Sequence, residues 1–172
     1  MTPHKTKIGN GNLQVPLTGK TYFVVTGGPY RIKPRNFRGV KMAEEISAHC
    51  DVNIPTRDYQ VPSLTQLNAG LSDAIRLLGA GEPLYVGCVG GMGRTGLFLA
   101  VLVKVFGVKN PVEYVRKHYY SHAVENDKQY DFVSQFKPTA SLKFQVGVLK
   151  TLGAVQFWKN GSLTKLPLTN EN

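Results

Sequence analysis

A chain of 172 residues, 42% hydrophobic and 19% charged, has the length of one ordinary domain and enough apolar material to bury a core without staples, which sets aside both a mini-protein and a disordered tail. Twenty-one Lys and Arg against eleven Asp and Glu give a formal charge of +10, so an anionic partner is expected and phosphorylated substrates or nucleic acid stay open on charge alone. The longest apolar run, residues 97–103, is far short of the roughly 20 residues of a membrane span, no secretory pattern follows the N-terminal lysines, and two cysteines, Cys50 and Cys88, make no disulfide framework. A cytoplasmic protein without a membrane partner is therefore expected.

Along the chain, residues 1–20 are rich in Gly, Asn, Pro and Thr without periodicity and read as a flexible N-terminal arm. A first strand is expected over 21–25, ended by Gly27-Gly28-Pro29. Arg31, Lys33, Arg35, Arg38 and Lys41 follow with no acid among them. This run reads as a basic loop, either a solvated face or the rim of an anion site, before a short helix at 40–48. Residues 49–54 suit a second strand, which Pro55 closes. Ser63 is placed to cap a helix whose Leu64, Leu67, Leu71, Ile75 and Leu78 form one apolar stripe, a core signal that Gly79 and Gly81 end. Leu84-Tyr85-Val86 reads as a buried strand, and residues 95–106 as a helix apolar all round and hence buried. Asn110-Pro111 opens a further helix to Tyr120, and Asn126 caps another to Phe136. Beyond Pro138, strands are expected at 142–149, 154–158 and 163–166, with an Asn160-Gly161 hairpin turn. The expected architecture is a single α/β domain over 21–137, a central mixed β-sheet with helices on both faces, and a C-terminal β extension over 138–172 packed on the same domain.

Between the buried strand and the buried helix lies Gly87-Cys88-Val89-Gly90-Gly91-Met92-Gly93-Arg94-Thr95-Gly96. Successive N–H groups of such a Gly-rich turn, Val89, Gly90, Gly91, Met92 and Gly93, can all face inward as an anion nest, and the dipole of the following helix points its positive end at the same place. Arg94 can clamp two phosphate oxygens. A Cys at the floor of that cup loses its proton below the free-thiol value of about 8.5 and becomes a nucleophile, and Thr95 is placed to donate a hydrogen bond to its sulfur. The stretch 91–96 also fits a dinucleotide-binding pattern. That reading leaves Cys88 and Arg94 idle and places Glu113, at the ribose distance, in a helix instead of at a strand end. A Walker loop fails for want of Lys. His49, His118 and His122 lack metal-ligand spacing, so no metal is expected.

The loop resembles the signature of the protein tyrosine and dual-specificity phosphatase superfamily, Cys-x-x-Gly-x-Gly-Arg-Thr. Asn53-Ile54-Pro55-Thr56-Arg57-Asp58, thirty residues before Cys88 and followed by Val61-Pro62-Ser63, resembles the family's acid loop. Ala123-Val124-Glu125-Asn126-Asp127-Lys128-Gln129 with Phe132 resembles the segment whose Gln positions the hydrolytic water in some members. The likeness covers about residues 52–136. It implies a cofactor-free phosphatase with Cys88 as nucleophile, Arg94 and the loop amides on the phosphate, Asp58 as general acid and Gln129 on the water. The partner would be a phosphorylated protein or another phosphorylated anion. One position departs: the family usually carries His before the Cys, and here Gly87 stands there, so thiolate formation rests on the nest, the helix dipole and Arg94. Two other readings follow, a phosphate-binding module that sequesters a phosphorylated ligand without turnover, and a phosphatase for nucleotide or RNA 5′ phosphates, which the basic charge would favour. Cys50 is either a core residue or a resolving thiol for Cys88.

Overall fold

The computed structural model describes residues 10–160. Its sheet has five strands: β1 (Gly11–Pro16), β2 (Tyr22–Pro29), β3 (Arg38–Ala43), β4 (Val52–Thr56) and β5 (Leu84–Cys88), in the spatial order β1-β2-β5-β3-β4. β1 runs antiparallel to β2, and the other four strands are parallel. The described residues also form five α-helices: α1 (Leu64–Gly79), α2 (Gly93–Val105), α3 (Pro111–His118), α4 (Asp127–Gln135) and α5 (Ala140–Asn160).

The strand register assigns the faces. Val40 lies beside Val52 and Val86, and Val86 beside Gly27, so these positions share one face. On that face α1 packs Gly70 against Val52 and Ile54, Tyr119 lies over Gly27, and Phe106 at the end of α2 meets Phe23 edge-to-face at 6.0 Å. The α1, α2 and α3 segments thus share a single face. The other face is covered by a one-turn 3-10 helix (Tyr30–Ile32) and the loop after it. There Phe37 meets Tyr85 edge-to-face, the Tyr85 hydroxyl donates to Pro29 O, and the Tyr30 hydroxyl donates to His49 O. The expectation of helices on both faces is corrected. The right-handed crossover rule sends the β4-α1-β5 and β2-β3 connections to opposite faces, and the second connection has room only for one turn.

Three further expectations change. Residues 11–16 of the supposed arm form β1, because Leu13 and Val15 alternate with polar residues and bury completely against β2. Where a helix was expected at 40–48, residues up to Ala43 belong to the inner strand β3: Val40 and Met42 are fully buried and the strand is paired on both sides, which outweighs its local propensity. Over its described residues the expected C-terminal β extension is helical, forming α5 (Ala140–Asn160). Leu142 and Val146 are buried and Leu149 half-buried at helical spacing, Leu149 lies against Gly79 of α1, and Gln145 Nε2 donates to Ser72 Oγ at 2.8 Å. The short apolar run 142–149 had the length of a strand, and its spacing belongs to a helix. Asn160 is the last described residue of α5, and the expected turn partner Gly161 and strand 163–166 lie outside the described residues. Gly27-Gly28-Pro29 and Pro55, expected to end strands, lie within β2 and β4, and the Asn110 side chain makes no cap bond. The other two caps and the buried helix are as expected: Ser63 Oγ accepts the Gln66 N–H, Asn126 Oδ1 accepts the Gln129 N–H, and α2 is buried all round except at half-buried Lys104.

Candidate active site

β5 ends at Cys88, and the chain turns through Val89–Met92 directly into α2, at the carboxyl ends of the parallel strands where α/β sheets bind ligands. Cys88 is only 3% exposed, and the Gly91 N–H donates to its Sγ at 3.2 Å. Gly91 has φ +72°, which favours glycine. Val89 and Gly90 are exposed, Met92 is half-buried and Gly93 buried, so the loop is open on one side.

Arg94, on the first turn of α2, is 2% exposed. Its Nη1 donates to Glu45 Oε2 and to Thr56 O, both at 2.8 Å, and Nη2 donates to Glu45 Oε1 at 2.7 Å. Asp58 Oδ1 lies 3.2 Å from the same Nη2. Glu45 therefore grips the guanidinium end-on while Thr56 O holds one edge. Among the described residues no protein acceptor bonds Nε, so the Nε and Nη2 edge is the one left for an anion. Burial works against the Arg94 charge, and Glu45, Cys88 and Asp58 outweigh it, holding the guanidinium above its ordinary value. The Arg94 hydrogen bonds in turn hold the Glu45 carboxyl below the usual carboxylate range.

Asp58 stands on the loop after β4, its side chain 58% exposed, and its Oδ1 accepts the Tyr59 N–H at 3.1 Å. Tyr59 has φ 57°, a left-handed conformation unusual for a side chain of that size. The strained turn is tied to α4: Asn126 Nδ2 donates to Tyr59 O at 3.2 Å while Asn126 Oδ1 caps the helix, and Lys128 bonds the Gln60 side chain. The fold thus brings Arg94 and Asp58 together over the loop that begins at Cys88. Gln129 is fully buried beside it: Oε1 accepts the Glu125 N–H at 3.0 Å, and Nε2 has no partner among the described residues. Thr95 is the exception. Its Oγ1 is buried without a partner, and the expected hydrogen bond to the sulfur is replaced by the Gly91 amide. Cys50 and Cys88 are both free thiols. Among the described residues no cluster of His, Cys, Asp and Glu is arranged to hold a metal ion, and no helix is long and apolar enough to cross a membrane.

Gly87 now has a physical reason. A Cβ there would stand 2.8 Å from Gly28 O and from the Tyr30 Cα, a collision with backbone, so a histidine does not fit. Glu45 is the residue sequence reasoning missed. Its signal was the pair Glu44-Glu45, two acids directly after the basic run of a strongly basic chain.

A mixed sheet of this order, with a thiol at a strand end and a buried arginine at the start of the next helix, defines a domain of the tyrosine and dual-specificity phosphatase class. The chain belongs to the family described as Swiss Army Knife protein, DSP-PTPase phosphatase domain (PTP-SAK), whose family model matches residues 37–141. It is 38% identical over 84 residues to the uncharacterized protein MJECL20 of Methanocaldococcus jannaschii, a stretch covering 48% of this chain and 56% of that one, so the chain spans about half of that relative. Among solved structures it is similar to DUSP15 (TM-score 0.60, 14% identity, 83% of this chain and 97% of that one). It is also similar to kinase associated phosphatase (TM-score 0.56, 15% identity, 77% and 95%). At these identities the likeness is one of fold, and together with the family it supports a cysteine phosphatase.

Proposed function

We propose that the protein hydrolyses phosphomonoesters through a cysteinyl-phosphate intermediate, acting on phosphotyrosine proteins and on phosphoserine or phosphothreonine proteins. The observation that carries the reading is the arginine held end-on by Glu45 through Nη1 and Nη2, with Nε left without a protein acceptor among the described residues and the Asp58 carboxylate against Nη2. An entering phosphate displaces Asp58 from that contact and places two oxygens on the edge. Released from Arg94, Asp58 takes up a proton from solvent; Cys88 Sγ then attacks phosphorus as the bond to the leaving oxygen breaks, and Asp58 passes that proton to the leaving oxygen. In the second step water attacks phosphorus, Asp58 takes the proton, the S–P bond breaks, and inorganic phosphate leaves with the thiolate restored. The unpartnered Gln129 Nε2 is the donor available to that water, and the amides of Val89, Gly90, Gly91, Met92 and Gly93 carry the remaining phosphate oxygens. No cofactor enters.

The test is Cys88→Ser with an aryl phosphate and tungstate. Turnover should disappear while tungstate still binds, because the cup is backbone and Arg94; more than a few per cent of the activity in clean protein contradicts the mechanism. Tungstate binding by a wild-type protein with no turnover would point to the sequestering module instead. Basic charge keeps nucleotide and RNA 5′ phosphates as substrates to be tried beside phosphopeptides.

A further inference from the structure

The phosphate loop is held from outside by two residues that the proposed chemistry does not use. Tyr119 directly follows α3, and its buried hydroxyl donates to Gly91 O at 2.6 Å. Asn10 Nδ2 donates to Gly90 O at 2.9 Å and to Gly91 O at 3.2 Å, and Asn10 is itself placed by a backbone hydrogen bond to Gly27 O at 2.8 Å. Room for the tyrosine is built into the sheet. Gly11 and Gly27 face each other across β1 and β2; a Cβ on Gly27 would stand 2.8 Å from the Tyr119 ring, and one on Gly11 2.9 Å from the Tyr119 carbonyl.

In a trans peptide the C=O and the following N–H point in opposite directions. Donors drawing the Gly91 carbonyl to one side therefore send the Met92 N–H to the other. Gly91, at positive φ and flanked by Gly90, has the conformational freedom to let this peptide flip. A flip would turn a carbonyl oxygen toward an incoming anion where an N–H is needed. Burial, with the Cys88 charge adding to it, pushes the Tyr119 phenol far above its ordinary value, so it remains a protonated donor throughout the useful pH range. A histidine at position 87 has no space here.

We propose that Tyr119 and Asn10 are positioning residues that lock the Gly90–Gly91–Met92 backbone in its anion-binding orientation, bracing the loop from the β1 and α3 side. The inference rests on the reading of the loop as a phosphate cup. Its test measures tungstate protection of Cys88 from iodoacetamide in the full chain, beside KM and kcat for an aryl phosphate, in Tyr119→Phe and Asn10→Ala. Tyr119→Phe keeps the ring over the glycines and removes only the donor. Each variant should bind tungstate about five- to ten-fold more weakly, the loss expected when one donor group is removed, with kcat/KM falling in step and the double variant worse than either. Wild-type tungstate affinity in both variants, with only the melting temperature lowered, would overturn the inference and leave the phosphate reading intact. No protection of the wild type would overturn both. Should the phenylalanine variant fail to fold, the half-buried Asn10 carries the same test.

Discussion

Arg94 depends on Glu45 more than on any other side chain, since both terminal nitrogens of a 2% exposed guanidinium are bonded to one carboxylate. Glu45→Gln keeps the shape and removes the charge, so the fork loses its fixed bearing on the anion edge. A lost bearing of this kind costs about ten- to a hundred-fold in kcat/KM, which aryl phosphate kinetics would read. The pair also has a pH signature. Arg94 lowers the folded-state value of Glu45, so its share of stability is present above the unfolded carboxylate value of about 4.3 and is lost as pH falls through the lowered value. Thermal melts of Glu45→Gln should therefore approach those of the wild type in acid and diverge toward neutrality. Gly87 makes the opposite demand, that nothing be added. Gly87→Ala places a methyl against the backbone of Gly28 and Tyr30 and should cost about 1–3 kcal/mol, as overpacking does, measured by denaturant unfolding.

Asn126, where α4 begins, also reaches the Asp58 loop. The same side chain caps the helix through Oδ1 and donates through Nδ2 to Tyr59 O, holding a left-handed non-glycine residue in place. Two substitutions separate these duties. Asn126→Asp keeps the capping acceptor and loses the donor, so stability should hold while turnover of substrates with poor leaving groups falls. Asn126→Ala loses both and should also cost about 1 kcal/mol of cap. Equal kinetics in the Asp variant and the wild type would mean that the loop needs no tie from α4. The α2 helix needs no such device at its start. Gly93, Arg94 and Thr95 are buried and the helix follows β5 through a four-residue turn, so the elements around it hold the arginine.

For the whole molecule, the formal charge of +10 acts on every anion that approaches. Arg38 is paired with Asp51 and Glu82, and Lys33 is bonded to Pro34 O and Phe37 O, so part of the basic run is tied into the structure. Arg31 and Arg35 are exposed beside the strand that adjoins β5. Raising salt from roughly 0.05 M to 0.5 M shortens the Debye length severalfold. KM for a multiply phosphorylated peptide should then rise several-fold with kcat little changed, and a small aryl phosphate should respond less. A salt-independent KM would remove charge steering from the account.

The places of Cys88, Arg94 and Asp58 in the candidate site were legible in the sequence, because the loop is a local device: a strand end, glycines and a helix start are consecutive in the chain, and the Asp58 loop carries its own short pattern. The capped helices α1 and α4 were legible for the same reason, as caps and apolar stripes are written within one element. What came only with the tertiary structure depended on pairing across distance. β3 is a strand because β4 and β5 flank it, and β1 because β2 offers its edge. Residues 140–153 are helical because one apolar face meets α1. Glu45 reaches Arg94 across 49 positions, Tyr119 reaches Gly91 across 28, and Asn10 reaches Gly91 across 81. Local residues determined where the thiol, the arginine and the acid would lie. Only packing decided what holds them, because a hydrogen bond between distant residues leaves no spacing to read.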